Sequence, residues 1–383
     1  MLIYEPNNLY IRLMLYNWQI TDWPVFTYQP GISEKLILEF LVKSGQISGI
    51  LTGFPKDNQT ELALEIMVEE AIKTSEIEGE FLSRQDVMSS IKKNLGIHEA
   101  QPLLVKDYRA KGIAKLMIAV RTSYVKPLTE ADLFAWHEML MEGNRYLEAG
   151  KWRTDSSPMQ VVSGAIGKET VHFEAPPSDR VGAEMNQFIH WFNRTGPGQP
   201  EAISNPLIRS GISHLYFESI HPFEDGNGRI GRALAEKALH QGLGQPTLIS
   251  LSNTIEKDKN GYYGALKKAQ RSNEITSWLD YFAENVIKAQ QDAERLIQFT
   301  LKKTKFFDLN RSRLNERQIK VISRMLEEGP DGFEGGMSAK KYMAITKASK
   351  PTATRDLQQL RELGVFIPSG GGRSVSYDLL LEI

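Results

Sequence analysis

One twelve-residue segment concentrates side chains that could handle phosphate. Between His221 and Arg232 lie one histidine, two carboxylates, three glycines, one asparagine and two arginines. Apolar residues at helical spacing precede and follow it, which predicts a loop that joins two buried helices and opens the second. Glycines bring backbone N–H groups close to an anion, and a helix N-terminus adds partial positive charge. The segment therefore predicts a phosphate-binding loop, with a glycine-rich turn carrying solvated charges as the alternative.

The side chains of this loop suit different parts of phosphate chemistry. Asp225 is a hard oxygen ligand of the kind that Mg²⁺ prefers. Arg229 and Arg232 lie three residues apart at a helix start, so both could face one phosphate chain. Asn227 could donate an amide N–H to a phosphate oxygen. His221 has the one side chain here with an unperturbed pKa near neutrality, which makes it the natural general base for an incoming hydroxyl.

The segment resembles the signature of the Fic family, HPFx(D/E)GNGRxxR, and matches every fixed position. Fic proteins are mostly AMP-transferases that use ATP to modify a hydroxyl of a target protein. The resemblance implies that His221 deprotonates this hydroxyl, that Asp225 holds Mg²⁺ or Mn²⁺ on the α- and β-phosphates, and that Arg232 holds the γ-phosphate. The nucleotide-binding residues that it implies in the loop and helix are Gly226, Asn227, Gly228, Arg229, Ile230, Gly231 and Arg232.

The composition is that of an ordinary globular chain. Its 383 residues are enough for two or three domains, 41% are hydrophobic and 24% charged, and the net charge is −1. No global basic field argues for nucleic acid, so any such binding must be local. The absence of cysteine excludes disulfides, thiolate metal sites and a cysteine nucleophile, and it fits a reducing cytosol. Without a membrane-spanning stretch or a signal peptide, we expect a cytoplasmic protein with no membrane attachment.

Residues 159–173 break the helical periodicity. Short β-prone runs around glycines predict a β-hairpin that ends at Pro176 and Pro177. In Fic proteins, a hairpin flap at this place pairs with the target by strand addition, and an exposed hairpin edge has the free N–H and C=O groups for it. A plain surface hairpin is the alternative. The expected target-docking residues are Val161, Val162, Ser163, Gly164, Ala165 and Ile166.

A tyrosine pair follows the motif helix. Tyr262 and Tyr263, beside a glycine, could form an aromatic wall for a purine, although spacing alone favours core packing. The Fic resemblance makes both tyrosines candidates for the adenosine pocket. It also draws attention to Gln270, which stands where relatives often have a polar contact to adenine.

Residues 74–79 stand at the end of a predicted helix. Gly79 fits the C′ position, whereas Glu78 opposes the helix dipole, and functional residues often break such a local rule. The segment resembles the inhibitory motif (S/T)xxxE(G/N) of Fic proteins, in which the glutamate pairs with the second motif arginine and blocks the γ-phosphate site. The resemblance implies a pair of Glu78 and Arg232, supported by Thr74 on the same helix face. A solvated glutamate is the alternative.

The C-terminal residues are predicted to form a unit of their own. Three amphipathic helices and two strands resemble a winged helix-turn-helix. The third helix starts with Thr352, Thr354 and Arg355, which could face a DNA groove, but it also carries Asp356 and Glu362. Protein contact or packing in a homodimer is the alternative to DNA binding.

The predicted fold is mainly α-helical, with a Fic-type helical core, a β-hairpin flap and a C-terminal winged helix. The predicted boundaries are 1–13 for a possible disordered extension, 14–110 for an N-terminal region with the inhibitory helix, 111–295 for the Fic catalytic domain, 296–313 for a basic linker and 314–383 for the winged helix.

The expected reaction is AMP transfer from ATP–Mg²⁺ to a Ser, Thr or Tyr hydroxyl of a target protein or of the chain itself, inhibited by Glu78. Two alternative reactions at the same site are the removal of AMP from a modified protein and the transfer of another moiety. The intact Gly228 argues against the kinase-like branch of the family. A DNA-binding regulator with a nucleotide-sensing core is the alternative from another functional class.

Overall fold

A computed structural model describes residues 15–97, 103–163, 170–370 and 375–381. Over these residues the fold is mainly helical, as predicted. The helices are α1 (Ile32–Thr52), α2 (Lys56–Ile77), α3 (Arg84–Asn94), α4 (Tyr108–Ser123), α5 (Glu130–Met141), α6 (Ser178–Arg194), α7 (Pro206–Ile220), α8 (Asn227–Leu243), α9 (Leu251–Lys257), α10 (Lys259–Ala269), α11 (Thr276–Asn310), α12 (Glu316–Leu326), α13 (Ala339–Thr346) and α14 (Lys350–Glu362). The strands are β1 (Gln160–Ser163), β2 (Thr170–Glu174), β3 (Phe366–Ser369) and β4 (Ser376–Leu379), which form the antiparallel pairs β1–β2 and β3–β4.

The chain divides into two compact units. The first contains the described parts of 1–52 and 63–290, and the second contains those of 53–62 and 291–383. Helices α2 and α11 contribute to both units. Residues 296–310, predicted as a linker, are helical and continue α11. In the described part of the chain, no helix has the length and apolar character needed to cross a membrane.

Helices α7 and α8 form the centre of the first unit. The Asn205 side chain caps α7 by accepting from two backbone N–H groups, and Pro206 takes a first-turn position that needs no donor. All fifteen residues of α7 are buried. Helix α8 begins after Gly226, at φ +83°, and ends at Gly244, at φ +69°. Both glycines adopt the left-handed conformation that other residues avoid, so they set the two ends of α8.

The core around this pair draws on every helix from α2 to α8. Burying an apolar side chain in this core stabilises the fold by about 1.5–3 kcal/mol. The α7–α8 pair is therefore a stable support for the loop between the two helices. Buried residues of α4, α5 and α6 belong to this core, whereas Met139 and Trp191 pack against it and are partly buried. Each of these helices contributes at least one fully buried residue, which in order from α2 to α8 are Val68, Ile91, Leu116, Leu133, Phe188, Phe217 and Leu234.

An aromatic segment at residues 16–28 packs onto this core. The Trp23 ring meets Tyr216 edge to face, with 5.1 Å between ring centroids, and its indole N–H donates to Glu184 at 2.8 Å. The Trp18 indole N–H donates to the Glu174 carbonyl oxygen at 2.7 Å. The segment therefore ties the base of the β1–β2 hairpin to the first unit.

The predicted hairpin is confirmed in its two strands. Gln160 lies opposite Glu174 and Val161 opposite Phe173, and the register shifts between Val161 and Val162. Such a bulge bends the strand locally. The side chain of Val162 is 48% exposed. The predicted docking residues Gly164, Ala165 and Ile166 lie outside the described residues.

In the second unit, α12, α13, α14 and the β3–β4 hairpin follow one another in the predicted order. DNA binding by this unit stays a prediction. Asp356, one of the two acidic residues of the third helix, does not present its charge at the surface, because its side chain is 1% exposed. Its carboxylate accepts from Arg317 Nε at 2.8 Å and from the Tyr342 hydroxyl at 2.9 Å. Burial opposes the charge, but these hydrogen bonds lower the pKa of Asp356 below its ordinary value. Glu362 is exposed.

We expect Asp356→Ala to destabilise the second unit by roughly 1–3 kcal/mol, because Tyr342 and Arg317 lose a shared buried acceptor. Hydrogen exchange of peptides from α12 and α14 measures the effect. Because the pKa of Asp356 is lowered, the difference from the parent should persist at neutral pH and shrink below about pH 4. Glu362→Ala, an exposed change on the same helix, is the control. Equal protection in parent and Asp356→Ala would contradict the assigned role.

Candidate functional site

A cleft of about 830 Å³ lies over the start of α8. Its walls come from the end of α2, the β1–β2 hairpin, the α7–α8 loop and α10. A cleft of this size suits a small-molecule ligand. Among the predicted site residues that line it are His221, Asp225, Gly228, Arg232 and Tyr263.

His221 occupies the C-cap of α7 in the left-handed conformation, at φ +51°. Its side chain is 15% exposed. Burial lowers the pKa of His221 to about 4, and the nearby positive charge of Arg153 makes a smaller contribution in the same direction. The imidazole is therefore neutral near pH 7, which is the protonation state that a general base requires.

Arg153 holds the backbone around His221. Its Nε donates to the His221 carbonyl oxygen at 2.8 Å, its Nη2 donates to the Pro176 carbonyl oxygen, and its backbone N–H donates to the Pro222 carbonyl oxygen at 2.9 Å. The residue is 4% exposed. Arg153 thus joins the motif loop to the end of the β1–β2 hairpin. Sequence reasoning missed it, because a single arginine before a hairpin carries no signal of these long-range partners.

Asn227 has a different role from the predicted one. Its side-chain Nδ2 donates to the Phe223 carbonyl oxygen at 2.8 Å, and its Oδ1 accepts from the Phe223 N–H at 2.9 Å. The residue is 2% exposed. The amide therefore closes the loop across four residues, and this corrects the predicted contact between the side chain and phosphate.

The start of α8 keeps the features of an anion site. No side chain among the described residues caps its first turn, so the backbone N–H groups that follow Gly226 are available to a ligand. A Cβ at Gly228 would come within 2.2 Å of Glu78 Oε1, so only glycine permits this close approach. Ile230 and Gly231, named through the resemblance, are buried in α8 and do not line the cleft.

Arg232 is 1% exposed and finds its acceptors on α2. Its Nε donates to Thr74 Oγ1 at 2.7 Å, and its Nη2 donates to the Thr74 carbonyl oxygen at 2.9 Å and to Glu78 Oε1 at 2.7 Å. Burial opposes the charge of Glu78, but Arg232 lowers the pKa of that carboxyl below its ordinary value. The structure therefore brings together the three residues that the sequence grouped as an inhibitory set.

Arg229 does not join Arg232 in the cleft, which corrects the prediction that both guanidinium groups face one phosphate chain. Its Nη1 donates to Glu80 Oε2 at 2.9 Å, and its Nη2 donates to Asp225 Oδ1 at 3.3 Å. Glu80 lies two residues beyond Glu78, so one short segment after α2 holds both motif arginines. Sequence reasoning missed Glu80, whose signal is a second carboxylate next to the predicted inhibitory motif.

Asp225 borders the cleft with its side chain 55% exposed. Its Oδ1 accepts from the Gly226 N–H at 2.5 Å as well as from Arg229. No group of three or more potential metal ligands occurs among the described residues. A metal ion here would therefore take one carboxylate from the protein and its other ligands from water and a bound phosphate, as is common for Mg²⁺.

The α10 residues line the far wall. Tyr262 is 2% exposed, and its hydroxyl lies 2.7 Å from His214 Nε2. Tyr263 is 37% exposed and meets the Tyr262 ring at 60°. Gln270 Nε2 donates to the Glu218 carbonyl oxygen at 3.2 Å. Tyr263 is thus the tyrosine with ring surface to offer a ligand, whereas Tyr262 serves mainly as packing.

Residues 127–239 match the model of the Fic/DOC family, and residues 16–97 match a domain of unknown function, DUF4172. Over 189 residues the chain is 28% identical to a protein adenylyltransferase Fic of Nematostella vectensis, a match that covers 49% of this chain and 38% of the relative. A probable protein adenylyltransferase of Aquifex aeolicus is 31% identical over 98 residues, covering 26% of this chain and 27% of the relative. The chain thus matches well under half the length of these two relatives.

Solved structures share the fold. The crystal structure of a Fic family protein from Desulfovibrio desulfuricans has a TM-score of 0.53 at 22% identity and covers 93% of this chain and 98% of its own. A Fic domain containing signaling protein from Bacteroides thetaiotaomicron also has a TM-score of 0.53, at 18% identity, covering 69% of this chain and 97% of its own. The predicted mainly α Fic-type fold is confirmed.

We expect Glu78→Ala to lower the free energy of unfolding by roughly 1–3 kcal/mol, because the buried Arg232 guanidinium loses its carboxylate partner. Chemical denaturation of the full chain measures this. An added polyphosphate should stabilise the variant more than the parent, since it can replace the missing anion. Glu76→Ala, which removes a carboxylate two residues earlier that pairs with Lys73 rather than with Arg232, is the control. Equal polyphosphate stabilisation of parent and variant would count against the assigned contact.

Proposed function

We propose that this chain is a protein adenylyltransferase that transfers AMP from ATP to a Ser, Thr or Tyr hydroxyl of a target protein, and the match of residues 127–239 to the Fic/DOC family model supports this. One observation carries the proposal. A neutral histidine with 15% of its side chain exposed, an uncapped helix N-terminus and a buried arginine border the same cleft. The printed names of the relatives support the same transfer.

In the proposed reaction, the hydroxyl oxygen forms a bond to the α-phosphorus of ATP. The bond from that phosphorus to the bridging oxygen breaks, and pyrophosphate leaves. His221 accepts the hydroxyl proton. The N–H groups at the start of α8 and the Arg232 guanidinium stabilise negative charge on the phosphates. The rate would therefore come from positioning, charge stabilisation and base catalysis.

The residues present fit a divalent metal bound together with the nucleotide. Asp225 would hold the ion, because its exposed carboxylate borders the cleft close to the start of α8. When bound, Mg²⁺ or Mn²⁺ supplies charge neutralisation to the phosphates. The β1–β2 hairpin, whose Val161 and Val162 line the cleft, is the proposed docking edge for an extended target segment.

The proposal includes inhibition by the end of α2. Glu78 accepts a hydrogen bond from the Arg232 guanidinium, which the γ-phosphate would otherwise contact. ATP bound without that contact would place its α-phosphate out of line for attack. Release of Glu78 would restore the contact between Arg232 and the γ-phosphate.

We expect His221→Ala to reduce AMP transfer by at least ~100-fold while ATP still binds, because the histidine acts on the hydroxyl rather than on the phosphates. Incorporation of label from α-labelled ATP measures transfer, and calorimetry measures binding. Label from γ-labelled ATP should not be retained. His190→Ala, an exposed change on α6, is the control. Transfer by His221→Ala at near the parent rate would exclude the assigned base.

We expect Glu78→Gly to raise automodification at least tenfold, equivalent to ~1.4 kcal/mol of barrier, because Arg232 becomes free to hold the γ-phosphate. Combining it with Arg232→Ala should abolish the gain, since both changes act through one contact. The measurement is labelled AMP incorporated per minute by parent, single and double variants. An unchanged or lower rate in Glu78→Gly would mean that Glu78 is an ordinary helix-end glutamate or serves AMP removal.

A further inference from the structure

We propose that the buried carboxyl of Glu218 is a positioning group for His221. It would hold the Nδ1 side of the imidazole so that Nε2 faces the incoming hydroxyl. The inference rests on the proposed AMP transfer in this cleft, to which it adds a residue that lies outside the HPFx(D/E)GNGRxxR segment.

The two side chains face each other at the end of α7. Glu218 stands three residues before His221, and its Oε2 lies 3.7 Å from His221 Nδ1. The side chains are 6% and 15% exposed, so water competes little for either group. Residues three apart share one helix face, and the left-handed turn at His221 keeps its ring next to the last turn of α7.

Among the described residues, His221 Nδ1 and the other carboxyl oxygen of Glu218, Oε1, are buried and lack a hydrogen-bond partner. Buried polar groups are nearly always paired. Closing the 3.7 Å separation between Oε2 and Nδ1 to hydrogen-bond distance needs only a small side-chain rotation. The geometry therefore points to each side chain as the other's partner.

The absence of a side chain at Gly231 leaves room for the Glu218 carboxyl. A Cβ at Gly231 would come within 2.2 Å of Glu218 Oε1 and within 3.2 Å of His214 Nδ1. Gly231 stands at a variable position of the motif. We therefore attribute the glycine there to the space that the buried Glu218 carboxyl needs, rather than to nucleotide binding. Gln270, which donates to the Glu218 carbonyl oxygen at 3.2 Å, fixes the backbone of the same turn.

The charges around Glu218 make its role depend on pH. Burial raises the pKa of Glu218 to about 8, against the opposing effect of Arg232. The carboxyl is thus mostly protonated at neutral pH and ionises as the pH passes about 8, where a carboxylate beside His221 favours proton uptake by the ring. The titratable and charged groups that face the pair are Arg232 on α8, Glu78 after α2, Asp225 in the motif loop, Arg153 before β1, His214 on α7 and Tyr262 on α10.

The test uses the full chain with Glu78→Gly as the starting variant. Adding Glu218→Gln should lower kcat for AMP transfer about tenfold or more, leave KM for ATP unchanged, and remove the rise in rate near pH 8. Glu218→Asp keeps a carboxyl and should keep that rise with a lower kcat. Glu284→Gln, which neutralises an exposed carboxylate on α11, should change neither.

Nitrogen NMR of histidine-labelled protein gives a readout that needs no activity. The ring-nitrogen shifts of His221, assigned with His221→Ala, should differ between the parent and Glu218→Gln. If Glu78→Gly transfers no AMP but these shifts change, the proposed function fails and the positioning role stands. Two results overturn the role while AMP transfer is intact. One is an unchanged kcat and pH profile, and the other is a uniform loss of rate at every pH with unchanged shifts, which indicates packing alone. If Glu218→Gln does not fold, the same shifts and rates in Glu218→Asp decide, and parent-like values there overturn the role.

Discussion

The buried guanidinium of Arg232 is the constraint on which the site depends. With 1% of its side chain exposed, it must take acceptors from the protein or from a ligand. Thr74 and Glu78 provide them from the end of α2. Leaving such a charge unpaired is strongly unfavourable. The position of the α2 terminus and the occupancy of the cleft are therefore coupled, because one or the other must satisfy Arg232.

A second constraint is the rigidity of the loop between α7 and α8. The Asn227 amide closes it onto the Phe223 backbone, and Arg153 holds the carbonyl oxygen of His221. Phe223 has no exposed surface. These contacts keep the left-handed His221 and the first N–H groups of α8 in a fixed relation. Fixed dipoles need no reorganisation when charge develops on a ligand, which is the main source of electrostatic catalysis.

The sequence predicted the parts of this structure that depend on local pattern. Loop, helix start and hairpin follow from glycine placement and periodicity, and the contact of Glu78 with Arg232 follows from a resemblance over two short segments. What it missed depends on long-range packing. The contacts of Arg229 with Glu80 and of Arg153 with the His221 carbonyl oxygen depend on how distant segments assemble, and the spacing of residues along the chain does not predict them. The helical continuation through 296–310 was predictable, since that segment contains neither glycine nor proline.

The contact between Glu78 and Arg232 is asymmetric, and this asymmetry suits the proposed inhibition by the end of α2. The Glu78 side chain is 28% exposed and can return to water at little cost, whereas Arg232 cannot. A phosphate that replaces Glu78 therefore restores the same kind of charge-assisted bond. Arg232 bound by Glu78 and Arg232 bound by a phosphate are stabilised by similar interactions. A ligand with a modestly higher affinity for one of these two states can therefore shift the population between them. Glu80 would further stabilise the proposed inhibited state, because it holds Arg229 from the same segment. If that segment moved away, Arg229 would keep Asp225 as an acceptor, and the loss of Glu80 would be partly compensated. The release of Arg229 would then be less unfavourable than the release of Arg232.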